Sequence, residues 1–437
     1  MEVMSMELQN ARGTRDFPPE QAMARQKLVD TLKKVFELYG FNPLETPILE
    51  PYGVLSAKYA GGAEILKETF RLTDQGKREL GLRYDLTVPM CRYLAMNPNT
   101  RMPFKRYQAG EVFRDGPIKL ARYRQFTQCD VDIVGVKGMA ADAEIISIVQ
   151  AVFEKLGMDA AIKINSRKVM NGLLEAAGVA KEKSEAAILS IDKLEKLGPE
   201  AVKKEMKDNK ISENSIKAVT EIISIKGSND AKLTKLKEDL KGSKEGMEGL
   251  AEIEALLSML ISTANVEFDI SLARGLSYYT GTVFEVFLKD SEIKSAVAAG
   301  GRYDNMIGSF LGSKKEYPAV GIAFGLDVIL DALKKQRAGG TESAKTAATA
   351  YVIPIKAPKE AAKVAQQLRK AGINTAVEML DRGISKSLEY ANAQGIPYAV
   401  FVGEQEVKQG KVKLRDMKTG KEELVAVEEA IKEIGKS

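Results

Sequence analysis

Histidine is missing from all 437 residues of the chain. Its absence removes the Ser-His-Asp triad, the Cys-His pair, the imidazole metal site and the imidazole general base together. Any chemistry must run on carboxylates, arginines, lysines, tyrosines or a bound cation. Tryptophan is absent too, and the two cysteines, Cys91 and Cys129, show no Cys-x-x-Cys spacing, so neither a disulfide framework nor a thiolate zinc site is expected. No apolar run reaches membrane-spanning length. The opening stretch MEVMSMELQNARGTRDF has no apolar segment of signal-peptide length. A cytoplasmic protein without membrane association is therefore expected. The net charge of +5 permits an anionic partner without requiring one.

What is present is a chain 44% hydrophobic and 29% charged, the composition of globular protein with a sizeable core and, at this length, more than one domain. Residues 20–39 carry apolar positions at helical spacing and stop at Gly40. Pro43, Pro47 and Pro51 in FNPLETPILEP bar a central strand, leaving an edge or interface segment. Residues 68–75 and 79–87 read as a strand pair. Residues 140–156 read as a helix with Ile145, Ile148, Val149, Val152 and Phe153 on one face. From 167 to 260 lysine, glutamate and alanine dominate at helical spacing, which indicates a helical insertion with a solvated face. Patterning returns as a strand pair over 266–288, a Gly-rich turn at 298–310 (AAGGRYDNMIGSF), and a strand running into a buried helix over 318–333. A Gly/Ser/Thr/Ala-rich linker covers 336–349. The strand–helix rhythm after it predicts a small α/β domain.

Four patches carry candidate chemistry. Asp85-Leu86-Thr87 ends a strand, where a carboxylate and a hydroxyl bind an ammonium group or simply cap the next helix. KRYQAGEVFRDGPIKLARYRQFTQCDVDIVG, residues 105–135, reads as a hairpin around Gly116-Pro117. Arg106, Arg114, Arg122 and Arg124 alternate there with Tyr107, Phe113, Tyr123 and Phe126. Guanidiniums beside flat apolar faces suit a ligand with phosphates and a ring, although a solvated basic hairpin has the same look. On its second arm Gln128, Asp130 and Asp132 share one face. That face is either solvent-exposed or the lining of a pocket. In LARGLSYYTG, Arg274 adjoins Gly275. Tyr278 and Tyr279 would point to opposite faces of a strand, so that one lines a site and the other packs. The fourth patch, AVGIAFGLD, places glycines at a strand-to-helix junction, which helix packing alone can explain.

In this order the patches resemble the class II aminoacyl-tRNA synthetases, and among them the histidyl-tRNA synthetase family. GFNPLETPILEP is similar to the first class motif, FRDGPIKLARYRQF to the second, and LARGLSYYTGTVFEVF and GGRYDNMIG to stretches of the histidine enzymes. The resemblance implies an α/β fold: an α+β catalytic domain on the antiparallel sheet of the class, a helical insertion, and a C-terminal α/β anticodon-binding domain. It divides the chain into catalytic core at 1–166 and 261–335, insertion at 167–260, linker at 336–349 and anticodon-binding domain at 350–437. It implies histidine–tRNA ligase activity with L-histidine, ATP and tRNA(His) as substrates, Mg2+ on the ATP, no protein-held metal, and a homodimer. By resemblance Asp85, with Thr87 and Gln128, holds the α-ammonium of histidine, Leu86 counts among the histidine-binding residues, Asp132 takes an imidazole nitrogen, and Tyr278 and Tyr279 close on the ring. Arg114 bridges the histidine carboxylate and the ATP α-phosphate, Phe126 stacks on adenine, and Arg122 reaches the distal phosphates. Arg274 lies against the carboxylate and α-phosphate, and with Arg114 it carries catalysis. The chain departs from the third class motif at Val328, where the family pattern has an arginine on ATP. That departure keeps a second reading open: a catalytically silent paralogue that regulates histidine biosynthesis or senses uncharged tRNA. A third is a non-enzymatic RNA-binding module.

Overall fold

The computed structural model describes residues 8–57, 63–118, 122–275, 278–313, 315–337 and 345–436. Four stretches singled out above lie partly outside these: residues 1–7 of the opening stretch, 119–121 of the hairpin loop, 276 and 277 of LARGLSYYTG, and 338–344 of the linker. The chain forms two compact units, residues up to Arg15 with Lys27–Arg337, and Asp16–Gln26 with the residues from Ala338 on.

Strands of the first unit are β1 (Asn42–Pro43), β2 (Leu49–Pro51), β3 (Arg71–Thr73), β4 (Glu79–Leu82), β5 (Phe104–Phe113), β6 (Gln125–Val134), β7 (Ala160–Ser166), β8 (Val266–Phe268), β9 (Thr282–Leu288), β10 (Ala298–Arg302) and β11 (Ala319–Gly325). Eight of them build one sheet in the order β1-β5-β6-β11-β10-β9-β7-β8, and β2-β4-β3 form a smaller one. The large sheet is antiparallel through its centre and parallel only at its margins, β1 with β5 and β7 with β8. The proline-bearing strands β1 and β2 both sit at edges, as expected from residues that cannot donate to a ladder. The helix Ala140–Leu156 buries Ile145, Ile148, Val149, Val152 and Phe153, and it ends on Gly157 at φ 65°, the left-handed stop that glycine accepts without strain.

Two expectations change. The strands over 266–288 do not pair with each other; β8 and β9 lie on either side of β7. The alternation of β9 is therefore matched by β7, remote in sequence, and by β10, the next strand along the chain. The Gly-rich stretch expected as a turn is the central strand β10, followed by the helix Met306–Phe310. Its glycines are there for space: a Cβ on Gly300 would lie 2.0 Å from the Gly321 carbonyl oxygen and 2.6 Å from the Ile322 Cα. Backbone cannot yield as a side chain does, so Gly300→Ala is expected to lower the unfolding free energy by about 1–3 kcal/mol, read as a shift in denaturant midpoint.

Between β7 and β8 run the helices Arg167–Ala176, Ser184–Ile191, Leu194–Asp208, Glu213–Ile223, Asn229–Asp239 and Lys244–Met259. Four helices in this unit start on serine caps: the side chains of Ser166, Ser212, Ser228 and Ser243 accept backbone N–H groups of the first turn, an arrangement worth about 1 kcal/mol each. None of the described helices is long and apolar enough to cross a membrane.

The second unit carries a five-stranded sheet of β12 (Ala350–Ile355), β13 (Thr375–Val377), β14 (Tyr398–Gly403), β15 (Lys411–Asp416) and β16 (Glu422–Ala426) in the order β13-β12-β14-β15-β16. The helix Pro358–Lys370 buries Ala361, Val364, Ala365 and Leu368, and the closing helix Val427–Ile434 buries Val427, Ala430 and Ile434. The α/β rhythm expected of the tail is present, with one additional short helix, Glu404–Lys408.

Candidate active site

The site is built on the β5–β6 hairpin. Strand pairing sets Arg106 opposite Asp132, Gln108 opposite Asp130, Gly110 opposite Gln128 and Val112 opposite Phe126. Period two then turns Phe126, Gln128, Asp130 and Asp132 to one face, where all four line a cavity of about 240 Å3. Asp85, Thr87, Arg114, Arg274, Tyr278 and Tyr279 line the same cavity. Ten residues spread over nearly 200 positions thus meet around one cavity, and Asp130 among them is one that the resemblance did not name.

Leu86 and Arg122 do not line it. Leu86 is fully buried, and its carbonyl accepts Arg106 Nη2 at 3.2 Å. Arg122 is half-exposed and pairs with Glu68 at 3.0 Å. Arg106 and Arg124 also leave the ligand-facing role that the basic hairpin suggested. Arg124 pairs with Asp115 at 3.0 Å, and Arg106 is fully buried.

Arg106 is the residue that the sequence concealed. Its Nη2 stands 2.7 Å from Asp132 Oδ2, with Nε against the Met90 sulfur. On the other oxygen of Asp132 the Tyr303 hydroxyl donates. Burial raises the Asp132 carboxyl, against the pull of Arg106 and Tyr303. Burial opposes the charge on Arg106 as well, but Asp132 and then Asp130 keep its pKa above the usual value. Gly321 of β11 completes this corner, since a Cβ there would fall 2.0 Å from Asp132 Oδ1. Tyr303 was hidden because GGRYDN read as a turn. The hairpin register would have exposed Arg106, had the length of the loop been known.

Tyr278 and Tyr279 are not on a strand. They sit in irregular chain before β9 with ring centroids 4.6 Å apart, so both reach the cavity, contrary to the opposite-face expectation. Tyr278 also meets Tyr303 edge-on at 6.2 Å. Arg274 lies 5.9 Å from the Tyr279 ring centroid, its Nη1 donates to Glu285 of β9, and its Nε is buried with no hydrogen-bond partner found. Arg114 donates from Nε to the Tyr84 carbonyl at 3.0 Å and lies 5.2 Å from the Phe126 ring centroid. Burial, ahead of the countercharge of Asp85, lowers its pKa from the ordinary value.

Val328 is outside the cavity lining. The carboxylate before it, Asp327, accepts the Thr127 backbone N–H at 3.0 Å and pairs with Arg15 at 2.7 Å, while Arg15 stacks over Tyr123 at 4.0 Å. The fourth patch, with its glycines, thus has a structural use, extending the sheet past Gly325 with a side-chain bond.

Asp85 has two jobs available to it. Its Oδ1 accepts the Val88 N–H at 3.0 Å at the start of the helix Thr87–Met96, and it faces the cavity. Desolvation there raises its carboxyl from 3.8 to about 6, against the Val88 hydrogen bond and Arg114. The folded-state value lies above the unfolded one, so the buried charge lowers fold stability at neutral pH; that penalty, gone only below 3.8, begins to shrink as pH falls through about 6. If the ionised form holds the substrate ammonium, an Asp85→Asn variant should show a raised KM for histidine at neutral pH. The ratio of variant to wild-type KM should then shrink about tenfold per pH unit below that value, because the wild type loses its charge while the titration of the substrate cancels. A ratio independent of pH would leave Asp85 as a helix cap only.

An antiparallel sheet bearing a motif-two hairpin, with arginines and carboxylates around one cavity, defines a class II aminoacyl-tRNA synthetase. A family model described as histidyl-tRNA synthetase matches residues 13–329, and one described as an anticodon binding domain matches 349–437. The chain is 44% identical to a histidine–tRNA ligase 1 of Bacillus cereus over 424 residues, 95% of this chain and 97% of that protein. It is 37% identical to histidine–tRNA ligase of Bacteroides fragilis, over 96% of this chain and 97% of that one. The crystal structure of histidyl-tRNA synthetase from Nostoc sp. PCC 7120 superposes with a TM-score of 0.87 at 32% identity, covering 99% of this chain and 100% of that chain. The chain belongs to the histidyl-tRNA synthetase family.

Proposed function

We propose that the chain is a histidine–tRNA ligase: it activates L-histidine with ATP to histidyl-adenylate, then transfers the histidyl group to the 3′ end of tRNA(His), releasing AMP and pyrophosphate. What carries the reading is the single cavity that gathers Asp85, Gln128 and Asp132 with Arg114 and Arg274, within a chain that matches the family over nearly its whole length. No observation favours the silent paralogue.

The chemistry suits a protein without imidazole. The histidine carboxylate is ionised at neutral pH and needs no general base. It attacks the ATP α-phosphorus, and pyrophosphate leaves. The work is to position two anions and to stabilise the charge that builds at phosphorus. Arg114 and Arg274, planar, bidentate and permanently charged, are fitted to it. The terminal ribose hydroxyl of tRNA then attacks the adenylate carbonyl and AMP departs. Magnesium enters as part of the MgATP substrate and neutralises the β and γ phosphates. On the amino-acid side, a pocket of carboxylates and phenols hydrogen-bonds a ring with two nitrogens, and it rejects analogues that would leave those groups unpaired.

A homodimer fits the same reading. Ile48, Leu49 and Leu72 remain exposed on and beside the β2-β4-β3 sheet next to Pro47 of the first motif, a surface for a second copy. Sedimentation at micromolar concentration would read this directly; a monomer would remove it. The activity is tested by histidine-dependent exchange of pyrophosphate into ATP and by charging of tRNA(His). Pure protein that binds histidine but does neither would sink the reading.

A further inference from the structure

Three phenols stand in the cavity lining: Tyr278, Tyr279 and Tyr303. Two of them lie in irregular chain ahead of β9, and the third follows β10 directly. All three project from chain outside the strands themselves. The contact that joins the two segments is made away from the cavity lining. Asp142, in the first turn of the helix Ala140–Leu156, is fully buried and does not line the cavity. One of its oxygens accepts the hydroxyl of Thr282, the first residue of β9. The other accepts Nη2 of Arg302, the last residue of β10. One carboxylate from a third element thus joins the two strand ends that carry the tyrosines.

The connection runs on to the rings. Arg302 is 3% exposed, and its Nη1 reaches the Val136 carbonyl at 3.1 Å and Asp304 Oδ1 at 3.3 Å. Its own carbonyl accepts the Thr280 N–H at 2.8 Å. The Thr280 hydroxyl donates to that carbonyl at 3.4 Å and accepts the Asp304 N–H at 3.1 Å. Thr280 adjoins Tyr279, whose ring lies against bare backbone: a Cβ on Gly301 would fall 2.8 Å from Tyr279 Cε1. The residue after Arg302 is Tyr303, which donates to Asp132. A buried ion pair such as Asp142–Arg302 adds little net stability over apolar packing, because both charges give up water. What its charge-assisted hydrogen bonds add is direction.

We propose that Asp142, acting through Arg302 and Thr280, is a positioning residue for the amino-acid side of the site. It sets where Tyr278, Tyr279 and Tyr303 stand without touching substrate. The assignment rests on the histidine-activating reading above, which puts the amino acid against these phenols.

The test compares full-length Thr280→Val and Asp142→Asn proteins with wild type by titration calorimetry, with L-histidine and MgATP as separate ligands. Thr280→Val keeps the volume and the buried ion pair, and removes only the hydroxyl between Arg302 and Asp304. We expect its Kd for histidine to rise about 10-fold, with the Kd for MgATP and the thermal midpoint close to wild type. Asp142→Asn keeps shape and removes charge. At temperatures where circular dichroism shows it folded, it should weaken histidine at least as much and MgATP not at all. A purely structural role would lower the thermal midpoint and leave both constants of the folded protein unchanged. Wild-type histidine affinity in Thr280→Val, or equal weakening of histidine and MgATP, overturns the assignment, and Thr280→Val decides alone if Asp142→Asn does not fold. Wild-type protein that binds histidine without pyrophosphate exchange would overturn the ligase reading and leave this test intact. Wild-type protein that binds no histidine overturns both.

Discussion

Arg274→Ala should lower histidine-dependent pyrophosphate exchange by about 10²–10³-fold, the cost of removing one preorganised donor from a charge-stabilising site. The side chain is held for that task from two sides. Glu285 accepts from Nη1, and the Tyr279 ring lies 5.9 Å from the guanidinium carbon, so the group is aimed before substrate arrives. Its buried Nε has no partner found in the cavity wall and offers a donor to an incoming anion. Arg274→Lys should recover little, since an ammonium cannot bridge two oxygens as a planar fork does. Both variants should keep the wild-type circular dichroism spectrum, because Arg274 lies in irregular chain outside the helices and strands. Near-normal exchange by the alanine variant would refute the role assigned to it.

Arg106→Met should be the most damaging substitution for the fold of the first unit, costing about 3–5 kcal/mol. The guanidinium and Asp132 are both almost fully buried, at 1% and 3% side-chain exposure. Methionine fills much of the volume but leaves the negative charge uncompensated in the sheet interior. The double variant Arg106→Met/Asp132→Asn should recover part of the loss, because a neutral amide replaces the stranded carboxylate; the coupling follows from a double-mutant cycle in denaturant midpoints. A single variant as stable as wild type would mean that Asp132 is already neutral in the fold, and that Arg106 is paired elsewhere.

The same two arginines show what the chain disclosed before it was folded. Arg274 was legible because it stands in a short, distinctive run, LARGLSYYTG, whose neighbours carry the resemblance. Arg106 was not, because strand alternation says only that it shares a face with Gln108 and Gly110. Its partner Asp132 is fixed by the pairing register of β5 with β6, and register across a long hairpin loop is not a local property. Helices announced themselves through spacing and stops, as in Ala140–Leu156 ending at Gly157. Strands whose partners are remote did not. The AAGGR stretch has turn composition, yet it occupies the middle of the sheet because β11 comes too close for any Cβ. Glu285 and Tyr303 escaped notice for the same reason: each acquires its meaning from a residue brought to it only by the sheet.

The cavity wall is built of carboxylates, amide, phenols and guanidiniums, and neither it nor any other part of the chain contains an imidazole. The protein is therefore spectroscopically silent toward its own substrate. In a magnetic resonance spectrum of the complex every imidazole signal belongs to the ligand, so the tautomer and charge of bound histidine can be followed without labelling the protein. Acylating reagents that inactivate other enzymes through their imidazoles have no such target here. Any loss of activity they cause reports on a lysine or tyrosine instead.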